Sequence, residues 1–184
     1  LYRINAQSRV LEEMLVRDGI PYRIFGGLRF YDRKEIKDIL AYLRVITNPA
    51  DEVSLRRIIN TPKRGIGQAT IDQLASLATR QGDSMFGIIL DIDDYEDISS
   101  RVVKKIKEFS QLIKKLLAHK ESMGLLEFTE FLLDETEFLK QFDDTEDGRA
   151  RTENVREFIG AVQEFQENQP EANLESFLES VALV

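Results

Sequence analysis

Apolar residues recur at helical spacing along most of the chain, and that spacing marks out its elements. Ile36, Ile39, Leu40, Leu43 and Ile46 form one apolar stripe that ends before "NPAD". Asp32 followed by Glu35 has the form of a capping box with Asp in place of Ser or Thr, so this helix is expected to start there. Asp51 is expected to cap a second helix, "EVSLRRIIN", which Pro62 closes. "QATIDQLASLATRQG" predicts a third, with Ile71, Leu74, Leu77 and Ala78 inward, and "DIDDYEDISS" reads as an acidic, solvated connector. Across 100–119, Val102, Val103, Ile106, Phe109, Leu112, Ile113, Leu116 and Leu117 share one broad face, with lysines opposite. "LLEFTEFLLDETEFLKQF", "RTENVREFIGAVQEFQ" and "NLESFLESVALV" predict three more helices, separated by "DDTEDGR" and "ENQPEA". From residue 31 onward the pattern therefore predicts an all-α domain of about seven helices.

Residues 1–30 follow another pattern. "LYRI" is a short apolar segment, "SRVLEEMLVRDG" carries Val10, Leu11, Met14 and Leu15 at helical spacing before Gly19, and "PYRIFGG" alternates like a strand. Strand, helix, strand is the beginning of an α/β unit, and two short strands do not make a stable sheet alone. The expected fold class is mainly α: a multi-helix domain over 31–184, preceded by a short incomplete α/β stub over 1–30. The start at Leu1 without an initiator methionine, and the end inside the apolar pattern "ESVALV", predict a piece of a longer protein.

Composition narrows the function classes. At 184 residues, 42% hydrophobic and 32% charged, the chain has the profile of one folded domain with at most a fragment of another. No apolar run approaches the roughly 20 residues that span a bilayer, so no membrane partner is expected. The absence of cysteine excludes disulfides and thiolate metal sites and suits a cytoplasmic protein. A single histidine, His119, argues against a His-based metal site or a Ser-His-Asp triad. The net charge of −8 hides an asymmetry: residues 1–80 carry 14 Lys/Arg against 9 Asp/Glu, a net of +5, whereas residues 81–184 carry 11 against 24, a net of −13. A polyanion would approach the first part and avoid the second.

The basic part has a focus. "RRIINTPKRGIGQATIDQL" reads as a helix, a tight turn and a second helix. Gly65 and Gly67 permit positive φ and close approach of another backbone; Ile66 can drop between the helices; Thr70 sits in the first turn of the second helix. A helix N-terminus at such a turn offers free amides to an anion, and Lys63 and Arg64 add charge beside it. A helix-hairpin-helix holds a DNA phosphate in this way without reading bases; the same residues also fit a glycine C-cap followed by an ordinary helix start. Lys37 and Arg44, seven apart, share a helix face away from the main stripe, where they either follow a phosphate backbone or form a solvated pair. No catalytic constellation is present. The acidic clusters at 91–97 and 143–147 lack Ca²⁺-loop spacing, and there is no G-x-x-x-x-G-K-[ST]. Phe128, Phe131, Phe138, Phe142, Phe158, Phe165 and Phe177 fall mostly on apolar faces, as core rather than base-stacking residues.

"LYRINAQSRVLEEML", "IPYRIFGGLRFYDRKEIKDILAYLRVITNP" and "RIINTPKRGIGQATIDQL" together resemble the middle of the PcrA/UvrD/Rep-like superfamily 1 DNA helicases. The resemblance is dense over residues 1 to about 80 and looser beyond, where "RTENVREF" and "FLESVALV" still fit. It implies that 1–30 ends the first segment of the RecA-like motor subdomain 2A and that 31–184 is the inserted helical subdomain 2B. It also implies a bacterial, cytoplasmic enzyme that couples ATP hydrolysis with Mg²⁺ to 3′-to-5′ movement on DNA. This stretch, lacking the ATPase motifs, is expected to bind no cofactor and to be inactive alone. The implied role is contact with double-stranded DNA at a single-strand/duplex junction. Carried over onto this chain, the turn falls on Thr61, Lys63, Arg64, Gly65, Ile66, Gly67 and Thr70, and the basic helix face on Lys37 and Arg44. Ile4 stands where the family has Thr or Ser and is assigned no polar role; Tyr2, Arg3, Asn5, Gln7 and Arg9 are assigned, all but one or two of them, to holding the strand-to-helix turn. A competing expectation is a protein-interaction or regulatory module that offers the −13 segment to a protein partner, and the exposed stub makes a strand-exchanged dimer a further expectation.

Overall fold

A computed structural model of the chain describes residues 8–22, 28–95, 98–169 and 171–183. Among them run nine α-helices: α1 (Ser8–Arg17), α2 (Lys34–Thr47), α3 (Glu52–Ile58), α4 (Gln68–Gln81), α5 (Met85–Leu90), α6 (Ser100–His119), α7 (Leu125–Glu135), α8 (Glu146–Asn168) and α9 (Leu174–Ala182). Short 3-10 turns occupy Phe30–Asp32, Ile92–Asp94 and Phe138–Gln141. The mainly helical class is as expected, and no strand occurs among the described residues. The strands expected at "LYRI" and "PYRIFGG" fall almost wholly on residues 1–7 and 23–27, outside them.

α2 is the centre of the body. Its stripe is wider than the sequence pattern implied, because Ala41, Tyr42 and Val45 are buried along with the five expected residues, and α3, α6, α8 and α9 all pack against it. A helix buried around most of its circumference is a core helix. Lys34, Lys37 and Arg44 are its exposed residues. Phe109, Phe158 and Phe177 fill the space around it, and Phe177 meets Phe158 and Phe165 edge-on with ring centroids 5.7 and 5.4 Å apart. The phenylalanines are packing residues, as expected.

Several element ends differ from the pattern reading. The Asp32–Glu35 capping box does not form: Asp32 Oδ1 takes Lys37 Nζ at 2.7 Å, and Glu35, buried against α8, accepts from Asn154 Nδ2 at 2.6 Å. A buried carboxylate with a neighbouring side-chain donor has no need of its own helix's amide. The single helix expected over "LLEFTEFLLDETEFLKQF" breaks at Thr136, whose hydroxyl donates back to the Leu132 carbonyl at 2.7 Å, and at Glu137, with φ 51°. The break lets Phe138 become fully buried. α5 brings the helices after residue 31 to eight among the described residues; Ser84 caps it, accepting from the Gly87 amide at 3.0 Å. α8 starts inside the expected separator "DDTEDGR", capped by Thr145, with Glu146 and Asp147 at its positive end. Asp51 caps α3 and accepts from the Ser54 amide at 3.1 Å, and α4 buries Ile71, Leu74, Leu77 and Ala78, both as expected.

α1 meets this body with its polar side. Ser8, Arg9 and Glu12 are its buried residues, while Val10, Leu11 and Met14 face outward, each about half exposed. Arg9 donates to Glu157 at 2.7 Å and Glu164 at 3.0 Å on α8 and to Glu13 on its own helix at 2.8 Å. Burial opposes the charge of Arg9; the three carboxylates outweigh that cost and hold it protonated. Glu12 accepts from the Phe30 amide with both oxygens, and Arg33 donates to Ser8 Oγ at 2.7 Å.

Candidate nucleic-acid interface

Nine residues, 59 to 67, separate α3 from α4, and side chains inside them decide their shape. Asn60 Oδ1 accepts from the amides of Arg64 at 2.7 Å and Ile66 at 3.2 Å, folding the segment back on itself. Ile66 is fully buried beneath the turn. Gly65 adopts φ 74°, a conformation that costs a side-chain-bearing residue about 1–2 kcal/mol. Gly67 has φ −80° and needs no glycine for its conformation, yet a Cβ there would meet nothing within 4 Å, so its backbone stands open. Arg56 of α3 reaches Asp72 of α4 at 2.5 Å and ties the two helices together.

Gly67 is the residue before α4 and supplies no side-chain cap. The amides of Gly67, Gln68 and Ala69 find no acceptor among the described residues, at the positive end of a 14-residue helix. Thr70 is half-buried in the first turn, its amide bonded to the Gly67 carbonyl at 3.1 Å. The Thr61 and Thr70 hydroxyls have no hydrogen-bond partner among the described residues. Lys63 is exposed and has no carboxylate partner among them.

Arg64 is placed differently from the expectation of a phosphate ligand. Its Nη1 faces the carbonyls of Ile58, Thr61 and Pro62 at 3.0, 3.1 and 3.3 Å, and its Nη2 donates to Tyr42 Oη at 2.6 Å. The guanidinium carbon lies 5.9 Å from the Tyr42 ring centroid and 5.3 Å from that of Phe109. The Tyr42 hydroxyl in turn donates to the Thr61 carbonyl at 2.5 Å. Burial pushes the Tyr42 phenol up to about 12, with Arg64 pulling the other way. The donors of Arg64 are thus turned onto the end of α3, where carbonyls lack helical partners.

Lys37 and Arg44 come together with Arg29 and Arg57 around one groove of about 300 Å³, which also holds Glu12 and Asp32. Lys37 is neutralised by Asp32, and Arg57 is paired with the buried Asp38 at 2.7 Å. Arg44 is exposed with no ion pair among the described residues. Lys63 and Arg64 line a different groove, of about 660 Å³, with Lys34, Lys140 and Arg151. The turn and the basic face of α2 therefore open onto separate grooves. Lys140 and Arg151, 77 and 88 residues beyond Lys63, carry no local signal that would have placed them there.

Among the described residues no group of acidic, histidine or cysteine side chains is arranged to hold a metal ion. His119 packs against Phe131 with ring centroids 4.9 Å apart and planes tilted by 42°, and its Nδ1 meets the Lys115 carbonyl, a packing position at the rim. No helix among the described residues is long and apolar enough to cross a membrane.

Over residues 1–184 the chain matches the family model of the UvrD-like helicase C-terminal domain. It is 40% identical over 186 residues to the ATP-dependent DNA helicase PcrA of Bacillus subtilis, an alignment that takes in 100% of this chain and 25% of that protein. The PcrA helicases of Staphylococcus epidermidis and Staphylococcus aureus are 40% and 39% identical over 188 residues, 26% of each of those proteins. The chain spans about a quarter of the length of the curated relatives it matches.

Proposed function

Because the chain belongs to the family of UvrD-like helicase C-terminal domains, of PcrA/UvrD type, we propose that it is the part of an ATP-dependent 3′-to-5′ DNA helicase that grips the duplex. Residues 31–184 act as the helical accessory subdomain 2B and 1–30 as part of the motor subdomain 2A. ATP and Mg²⁺ belong to the motor of the longer protein, and this chain alone hydrolyses nothing. The turn 61–70 works as a helix-hairpin-helix element at a single-strand/duplex junction. One observation carries the reading: the amides of Gly67, Gln68 and Ala69 are uncapped at the head of α4, where a Gly67 backbone without a neighbouring side chain admits a phosphate, and an exposed, unpaired Lys63 precedes them by four residues in the same turn. Arg44, and Lys37 once it exchanges Asp32 for a phosphate, offer a second contact.

The Lys63→Ala variant tests this. Titration with duplex DNA at two salt concentrations is expected to show weaker binding, equal for unrelated sequences, with the salt slope lower by about one unit. An unchanged slope would remove Lys63 from the interface. Arg64→Ala is expected to act through folding instead: it removes the donor to the Pro62 carbonyl and to the Tyr42 oxygen and the packing on the Tyr42 and Phe109 rings, costing about 2 kcal/mol and lowering Tm by about 5 °C.

A further inference from the structure

The acidic second half of the chain places a cation in direct contact with the turn. Lys105, on the second turn of α6, lies 40 residues beyond Gly65 in sequence, and its Nζ donates to the Gly65 carbonyl at 3.2 Å. A Cβ on Gly65 would stand 2.1 Å from that nitrogen, so the space a side chain would take at residue 65 is taken by the lysine ammonium. Glycine at residue 65 is favoured by φ 74°, and any side chain there would displace the Lys105 ammonium. The stem of Lys105 is half-buried and pinned, which removes much of the rotamer entropy a surface lysine loses on binding. Its ammonium spends one of three N–H groups on the carbonyl and meets no carboxylate among the described residues, although Lys107 on the same helix is paired with Asp93 at 2.5 Å.

Lys63 stands two residues from Gly65 and is likewise unpaired. One turn thus carries two ammonium groups, Lys63 in its own sequence and Lys105 on its Gly65 carbonyl, neither ion-paired among the described residues, in a chain of net charge −8. We propose that Lys105 is a further phosphate-binding residue of the turn, supplied from α6, so that the clamp on the duplex backbone is built from both halves of the chain. This rests on the reading of the turn as a duplex contact. It also redraws the expected division of labour, in which a polyanion met residues 1–80 only.

The test uses the 184-residue chain and a duplex oligonucleotide, titrated at two salt concentrations with Tm measured alongside. Lys105→Met keeps the stem and removes the charge; Lys105→Arg keeps the charge. Lys105→Met is expected to weaken binding about 3- to 10-fold and to lower the salt slope by about one unit, and Lys105→Arg to retain the slope. A lower slope in Lys63→Ala with an unchanged slope in Lys105→Met would overturn the inference and leave the duplex reading standing. Unchanged slopes in both would overturn the two together. A drop in Tm with weaker binding but an unaltered slope would make Lys105 a brace of the Gly65 carbonyl and no ligand, again overturning the proposal.

Discussion

Tyr42 and Arg64 show how much of a residue's task depends on what surrounds it. Tyr42 joins α2 to the turn through one hydroxyl, which donates to Thr61 and accepts from Arg64. Its phenol is neutral in the folded chain up to about pH 12, against about 10 when unfolded, because burial penalises the phenolate. The folded state therefore holds the proton more tightly, so this contribution is complete below pH 10 and is lost as pH rises towards 12. Urea unfolding at pH 9 and 11.5 should show wild type losing up to about 2 kcal/mol more than Tyr42→Phe across that interval. Nothing local in the sequence distinguished Arg64 from Lys63: two adjacent cations before a glycine look alike until the carbonyls at the end of α3 and the Tyr42 and Phe109 rings are in place. The exposure of Lys63 was legible because a charge on a turn needs no partner to be read. The ion-paired setting of Lys37 with Asp32 lay five residues apart in sequence, but the expected capping role had already claimed that aspartate.

At the scale of elements, what was legible was what is local. The extents of α3, α4 and α6, the Asp51 cap and the buried face of α4 follow from 3.6-residue spacing and one capping side chain. The break after α7 was not legible, since Thr136 and Glu137 continue an amphipathic run and only the pocket waiting for Phe138 makes leaving the helix favourable. The turn between α3 and α4 has the same character. Asn60 and Gly65 shape it from within, but α6 finishes it from outside. Gly65→Ala is accordingly expected to destabilise the chain by about 1–2 kcal/mol through its positive φ, seen in urea unfolding, and to weaken duplex binding further than that loss explains, because Lys105 must vacate its place. Gly67→Ala, with open space around it, should leave stability within about 1 kcal/mol.

For the whole molecule, the orientation of α1 is the informative feature. An amphipathic helix that folded only with this body would turn Val10, Leu11 and Met14 inward; here they face out, and Ile20 and Leu28 are exposed as well. That arrangement is what a helix shared with a further subdomain would show, in keeping with the proposed assignment of 1–30 to the motor. Leu11→Ser with Met14→Ser should leave the Tm of this chain within about 2 °C, and should lower it markedly in the longer helicase if those residues are covered there. Equal, small effects in both would detach α1 from any such neighbour.

The polar seam under α1 has one more consequence. Its fully buried members are Ser8, Arg9 and Glu12, with Leu15 and Val16 half-buried, so lifting the helix from α8 would hydrate mainly charge and polar groups and comparatively little hydrocarbon. Heat capacity follows newly wetted apolar surface, whereas denaturant response follows the total surface newly wetted. Such an opening would have little curvature with temperature and only a small urea dependence: a joint that calorimetry overlooks and that amide exchange along 8–17 would reveal.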